Sequence, residues 1–177
     1  MPLTARLLIE PLDHVHAAGL VAALDHPEVG LYTGGPAVTT VEAMHERIDE
    51  LAAGPGPDLP EDNWWNWAVL RSSDRLVMGY IQATGYGSWA EVAYVFGPTT
   101  GGQGYATEAV QWLVGHLAER GMPESWAAVH HANASSIRLV ERLGFQRVAE
   151  PTRQLGSYDD GDLVFRFDAA PDRSHHG

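Results

Sequence analysis

The chain has 177 residues, 11 basic side chains against 23 acidic ones and a formal charge of −12 with histidine neutral; every basic residue is arginine. With no lysine and no cysteine, Schiff-base chemistry, a P-loop lysine, a thiol nucleophile, a zinc ribbon and a disulfide framework are excluded. The acidic balance argues against non-specific nucleic-acid binding and against anionic membranes, and favours a cationic or amine partner.

Residues 5–10 alternate weakly and read as a first strand, closed by Pro11. Asp13 is placed to cap an Ala-rich helix running to Leu24. The turn formers Tyr32-Thr33-Gly34-Gly35-Pro36 mark a loop. A second helix opens near Thr40 and ends about Ala53, and a loop with three prolines follows to Asn63. Trp65, Trp67 and Val69 alternate with Asn66, Ala68 and Leu70 as in a strand. Residues 75–84 and 91–96 continue an antiparallel meander, joined by turns at Ser72-Ser73-Asp74 and Gly85-Tyr86-Gly87-Ser88. After Gly97-Pro98 a helix runs from Tyr105 to Arg120, with Ala109, Leu113 and Leu117 on one stripe and Val110 and Val114 beside it. Gly121 caps it. Residues 125–130 form a strand, 133–143 a helix ended by Gly144, and 145–148 and 163–167 the last strands.

This order is α+β with one embedded parallel step, because the Tyr105 helix crosses over between two strands. Residues 1–168 are expected to form one domain, followed by a polar, frayed tail at 169–177. The N-terminus lacks signal-peptide features, and no apolar run approaches the roughly 20 residues of a membrane span, so a cytoplasmic protein without a membrane partner is expected.

The most informative segment is Val95 to Ala106, a strand, a glycine turn (Gly101-Gly102-Gln103-Gly104) and a helix start. Glycines let backbone N–H groups approach a ligand, and a helix's first turn offers unpaired donors and partial positive charge. Together they can hold a phosphate without a cation, and this turn contains none. The spacing is neither G-x-G-x-x-G, since position 107 is Thr, nor a Walker A. On its own the turn reads equally well as a tight strand-to-helix connection.

Gly102-Gln103-Gly104-Tyr105-Ala106-Thr107-Glu108-Ala109, then Asn133-Ala134-Ser135-Ser136-Ile137-Arg138, then Glu141-Arg142-Leu143-Gly144-Phe145 resemble the GNAT acetyltransferases. The Rim-type branch, which includes ribosomal-protein N-terminal acetyltransferases, is the nearest likeness. Thr4-Ala5-Arg6-Leu7 and Tyr32-Thr33-Gly34-Gly35 are also similar to it. The resemblance spans residues 4–167. It implies a mixed sheet of about seven strands, mostly antiparallel with a splayed parallel pair, flanked by about four helices. It implies acetyl-coenzyme A as co-substrate and no metal. Tyr94, Val95 and Phe96 would pair with the pantetheine arm, and Gly101, Gly102, Gln103, Gly104, Tyr105 and Ala106 would hold the pyrophosphate. Asn133 would meet the cofactor near its thiol. The family motif often opens with Gln or Arg where this chain has Gly101, which removes a side-chain donor. Arg138 reads either as a phosphate contact or as a partner of Glu141 or Glu108.

Acetyl transfer needs a neutral amine, a donor for the thioester oxygen and a proton for the thiolate. The oxyanion donor could be a backbone N–H near Val95. Glu91, at the start of the cofactor strand, is the expected base. A base position five residues before the motif Asn is filled by Ala128, and the Tyr used as acid by many relatives is replaced by Val140. The Rim-type pattern puts Ser136 in the acid role. Tyr32, Trp67 and Trp89 are candidate acceptor-site residues, among an aromatic set that includes Trp64 and Trp65 and that reads alternatively as core and strand packing; Asp58, Glu61 and Asp62 would favour a cationic acceptor, or are simply a solvated loop. His130 and His131 read as surface residues, with a proton relay as the alternative. The resulting expectation is an N-acetyltransferase acting on a primary amine, either a protein N-terminus or a small molecule, by direct attack in a ternary complex. The alternatives are a non-catalytic acyl-coenzyme A-binding module and a different acyl donor such as succinyl-coenzyme A. A homodimer contact through the Trp-rich or C-terminal strands is compatible with the pattern.

Overall fold

A computed structural model describes residues 4–32, 38–59 and 63–169. Thr33 to Pro36, Glu61, Asp62 and the tail from 170 lie outside the described residues.

Strands form where apolar side chains recur at every second position, so that one face can be buried. Among the described residues there are seven: β1 (Leu7–Pro11), β2 (Asn63–Arg71), β3 (Val77–Tyr86), β4 (Trp89–Phe96), β5 (Glu124–Val129), β6 (Gln146–Arg147) and β7 (Leu163–Asp168). They make one sheet in the order β1-β2-β3-β4-β5-β7-β6. Every pairing is antiparallel except β4 with β5. Two boundaries move from the sequence expectation. Arg75 has φ +59° and donates its N–H to the Arg71 carbonyl, so it belongs to the turn and β3 starts at Val77. β3 then continues through Gly85 and Tyr86, which pair with Ala90 and Trp89. The hairpin turn is therefore only Gly87-Ser88, with Gly87 at φ +74°.

Among the described residues four α-helices flank the sheet: α1 (Ala17–Leu24), α2 (Val41–Ala53), α3 (Tyr105–Glu119) and α4 (Ala134–Arg142). Asp13 caps a 3₁₀ turn ahead of α1, its Oδ1 accepting from the His14 N–H at 2.7 Å. Thr40 caps α2, its hydroxyl accepting from the Ala43 N–H at 3.2 Å. The stripe of α3 (Ala109, Val110, Leu113, Val114, Leu117) is buried against Leu7, Ile9, Trp67, Val69 and Val92, together with Leu139 and Val140 of α4. Each fully buried Leu or Val there contributes about 1.5–3 kcal/mol. On the other face Leu20 and Leu24 of α1 and Met44 and Ile48 of α2 pack with Tyr80 and Val95. β4 therefore sends Ala90, Val92, Tyr94 and Phe96 toward α3 and α4, and the alternate residues to the opposite face.

The parallel joint is short. β4 and β5 pair only at Trp89 with Glu124, Ala90 with Ser125 and Glu91 with Trp126. Beyond that point the two strands part, and Ala93 to Phe96 are half-exposed.

Candidate active site

The split opens toward the glycine turn. β4 ends at Phe96, a short 3₁₀ turn covers Pro98–Thr100, and α3 starts at Tyr105. Gly102 and Gly104 have φ of +75° and +80°, a conformation that favours glycine. Among the described residues nothing accepts from the N–H groups of Gly102 to Thr107, and the first capped bond of α3 is Glu108 N–H to the Gly104 carbonyl at 3.0 Å. Free amides on a left-handed turn at a helix start are the donor set a diphosphate requires. A groove of about 550 Å³ runs beside the turn, lined by Thr107, Gln111 and Trp112 of α3, Arg142 of α4 and the Thr4-Ala5 segment. Among the described residues Arg142 and Arg138 have no carboxylate partner, so the pairings expected of Arg138 with Glu141 or Glu108 are not formed.

The exposed edge of β4 from Val92 to Phe96 matches an extended amide-bearing chain in the same way. Its backbone groups on the β5 side lack the strand that would pair with them. The residues present thus fit both the diphosphate and the pantetheine arm of an acyl-coenzyme A.

Across the split, α4 presents its N-terminus. Asn133 caps it, its Oδ1 accepting from the Ser136 N–H and the Ser135 hydroxyl, each at 3.2 Å. Among the described residues the Asn133 amide NH₂ has no partner. The Ser136 hydroxyl lies 2.5 Å from the phenol oxygen of Tyr94. Burial pushes the Tyr94 phenol up to about 12, against the pull of its Ser136 hydrogen bond, so it stays protonated at neutral pH. Tyr94 and Ser136 are thus brought together, a pairing that neither local spacing nor the motifs indicated. It places a phenol beside α4 even though position 140, one turn on from Ser136, is Val.

Glu91 sits at the crotch of the split, on the face of β4 opposite Tyr94. Glu91 is buried, and its carboxylate accepts from the Gly156 N–H at 2.8 Å, the Ser157 N–H at 3.0 Å and the Ser157 hydroxyl. The donors belong to the long β6–β7 connection, which thereby lies over β4. Trp89 packs beneath that connection with Trp126, Leu155 and Val164, stacked on Tyr86 at 4.1 Å. Trp67 is buried on the other face, edge-on to Trp112 and His116 of α3. Neither of these two candidate acceptor residues faces the split as an open wall. Tyr32 does reach the region, its ring 5.0 Å from His130 at the end of β5, which stacks on His131 at 4.5 Å.

One contributor escaped the sequence reading. Arg6, just ahead of β1, donates Nη1 to the Gln103 carbonyl at 2.8 Å and Nε to Glu108 at 2.8 Å, and its guanidinium lies 4.5 Å from the centre of the Tyr105 ring. The signal available was its place in the opening Thr4-Ala5-Arg6-Leu7.

A mixed sheet split at its single parallel joint, above a glycine turn with free amides, is the architecture of an acyl-coenzyme A-dependent N-acetyltransferase. Residues 6–146 match the acetyltransferase (GNAT) domain, and the chain belongs to that family. No curated protein is matched. Solved structures with the same fold include a GNAT-family acetyltransferase from Bacillus anthracis, with 20% identity, a TM-score of 0.70 and 93% of this chain and 95% of that one covered. Another is RimL, the ribosomal L7/L12 α-N-protein acetyltransferase in complex with coenzyme A, with 15% identity, a TM-score of 0.73 and 94% and 96% covered. A chimera built on the spermidine N-acetyltransferase SpeG from Vibrio cholerae has 13% identity, a TM-score of 0.67 and 93% and 96% covered. Among the described residues no helix is long and apolar enough to cross a membrane, and no group of three or more metal-ligating side chains occurs.

Proposed function

We propose that the chain transfers acetyl from acetyl-coenzyme A to a primary amine by direct attack in a ternary complex. The observation that carries this reading is the split between β4 and β5 running into a turn with unpartnered amides at Gly102 to Thr107. The co-substrate supplies an activated thioester; the amine nitrogen bonds to its carbonyl carbon, the carbon–sulfur bond breaks and the sulfur takes a proton. The turn amides and Arg142 hold the nucleotide end. Val95 and Phe96 pair with the pantetheine arm, and the Asn133 amide steadies it near the sulfur. Ser136 gives the sulfur its proton and draws a replacement from Tyr94, and Tyr94, which burial keeps protonated, regains its proton from the water that takes up the one released by the amine. The amine proton leaves to water at the mouth formed by Tyr32 and His130. Without cysteine in the chain, no thiol carries the acetyl group between substrates.

Thiol release from acetyl-coenzyme A with a panel of amines (peptides with free N-termini, amino acids, polyamines, aminoglycosides) tests the reading, paired with calorimetry of coenzyme A. Turnover on one class supports it. Tight binding without turnover on any amine makes the chain a non-catalytic acyl-coenzyme A-binding module, and no binding removes both. In the active case Ser136→Ala lowers kcat on the order of 100-fold and Tyr94→Phe on the order of tenfold, with coenzyme A affinity retained. The phenol loses its proton only near pH 12, so this pair produces no alkaline loss of rate between about pH 7 and 10. A kcat unchanged in Ser136→Ala overturns the proton-donor role.

A further inference from the structure

Arg6 is the residue whose contacts the reading above leaves unused, and they converge on one element. The glycine turn has no cation of its own, and its first position, Gly101, has no side chain to donate. Arg6 reaches the turn from just ahead of β1, a strand three places from β4 in the sheet. The meander makes this contact: Leu7 lies opposite Arg71, Val77 opposite Leu70 and Phe96 opposite Gly79, so the start of β1 and the end of β4 share one edge of the molecule. α3 then crosses beneath the sheet and brings Glu108 under Arg6.

The contacts fix Arg6 on every side. Its backbone N–H donates to Glu108 Oε1 at 3.0 Å, and its carbonyl accepts from Ser72 N–H at 2.8 Å. Thr4 donates its hydroxyl to the same Glu108 oxygen. The Nε proton is taken by Glu108 Oε2 and Nη1 by the Gln103 carbonyl, while Nη2 has no partner among the described residues. A Cβ built on Gly104 would sit 3.4 Å from Nη2. By occupying the Gln103 carbonyl, Arg6 fixes the Gln103–Gly104 peptide, whose carbonyl would otherwise be free to rotate toward a bound anion. The flat guanidinium also stacks on Tyr105, the first residue of α3, where a lysine ammonium would give a single point contact.

We propose that Arg6 is the positioning residue of the diphosphate turn: with Glu108 as its anchor it holds Gln103 to Tyr105 in the anion-binding conformation and sets one cationic donor, Nη2, beside it. This inference rests on the coenzyme A reading above. It makes a distinction that a general structural role does not. The effect of Arg6 depends on the diphosphate, so it vanishes for a donor without one.

The test uses the full chain and two acetyl donors, acetyl-coenzyme A and S-acetylpantetheine, with calorimetry of coenzyme A. In Arg6→Ala the Kd for coenzyme A and the KM for acetyl-coenzyme A rise about tenfold, the scale of one charge-assisted contact, while kcat changes little. With S-acetylpantetheine, kcat/KM matches that of the wild type. Arg6→Lys keeps the charge but loses the fork and the stack, and recovers less than half of the lost affinity on a logarithmic scale. Glu108→Gln, which leaves Arg6 in place but loosens its anchor, weakens coenzyme A binding in the same direction and covers the case in which Arg6→Ala fails to fold. If wild type binds coenzyme A and both Arg6→Ala and Glu108→Gln bind it equally well, this inference is overturned and the cofactor reading stands. Equal losses with the two donors also overturn it, because the residue would then act on the fold as a whole. If wild type binds no coenzyme A, the cofactor reading itself is lost.

Discussion

A carboxylate has about four lone-pair directions, and three of those on Glu91 are used by Gly156 and Ser157. A group held this way has little freedom to swing toward an amine. Its place on the cofactor strand makes Glu91 the expected base; its contacts favour a different role, in which it ties the β6–β7 connection over the crotch of the split and would shape the acceptor side. The two roles separate in Glu91→Gln. The amide keeps the volume but turns an NH₂ toward N–H donors, so the connection loosens. The expected outcome is a rise in acceptor KM of several-fold, a kcat within about threefold of wild type and an unchanged shape of the pH–rate profile. A kcat lower by 100-fold or more with loss of the acid limb, on the scale of general-base removal, returns Glu91 to the base role.

Strand β4 and the turn it feeds are set by how closely neighbouring backbones approach. A Cβ at Gly97 would lie 2.2 Å from the Ala23 carbonyl oxygen at the end of α1, and one at Gly79 would lie 2.1 Å from the Val95 carbonyl oxygen. Gly97 also donates its N–H to the Met78 carbonyl at 2.9 Å, so it can move away from neither neighbour. Gly97→Ala therefore forces α1 or the entry to the glycine turn to shift. Overpacking of this kind costs roughly 1–3 kcal/mol. The variant is expected to melt several degrees lower and to show a raised KM for acetyl-coenzyme A; a melting temperature and KM equal to wild type would show that the approach is relaxed without cost. Such approaches mark the limit of what local pattern conveys. The stripe of α3, the meander and the single parallel step were legible because period and turn chemistry are local properties. Asp13 is legible as a cap for the same reason, whereas the cap by Thr40 is not, since no capping box marks it. The contacts of Arg6 with Gln103 and Glu108, of Glu91 with Ser157 and of Tyr94 with Ser136 join positions 97, 102, 66 and 42 residues apart, and no spacing rule encodes them. The tryptophans failed differently: alternation separates two faces of a strand but does not say that Trp67 will meet α3 and Trp89 the β6–β7 connection.

At the scale of the whole molecule the charge distribution frames both substrates. A chain of −12 repels an anionic nucleotide at long range, so the proposed binding would rest on short-range donors: the turn amides, Nη2 of Arg6 and Arg142, which has no carboxylate partner among the described residues. The acceptor meets the opposite situation. The connection that Glu91 anchors carries Asp159, Asp160 and Asp162, and Gly161 between them approaches His131, the neighbour of His130 at the mouth. These carboxylates add to the general negative field and would attract a cationic amine before it docks. Attraction of this kind acts through solvent and is screened over about 10 Å at 0.1 M salt. Raising ionic strength from about 20 mM to 500 mM is therefore expected to raise the KM for a polyamine or a Lys- or Arg-rich peptide several-fold. The KM for a monoamine with no second cation moves less, and kcat for both is expected to stay level, because long-range attraction acts on the encounter and not on the chemical step. Asp159→Asn with Asp160→Asn is expected to reproduce part of the salt effect at 20 mM. A KM for the cationic acceptor that is flat or falls with salt would mean that the acidic surface takes no part in choosing the amine, and acceptor selection would then rest on the Tyr32 and His130 contacts alone.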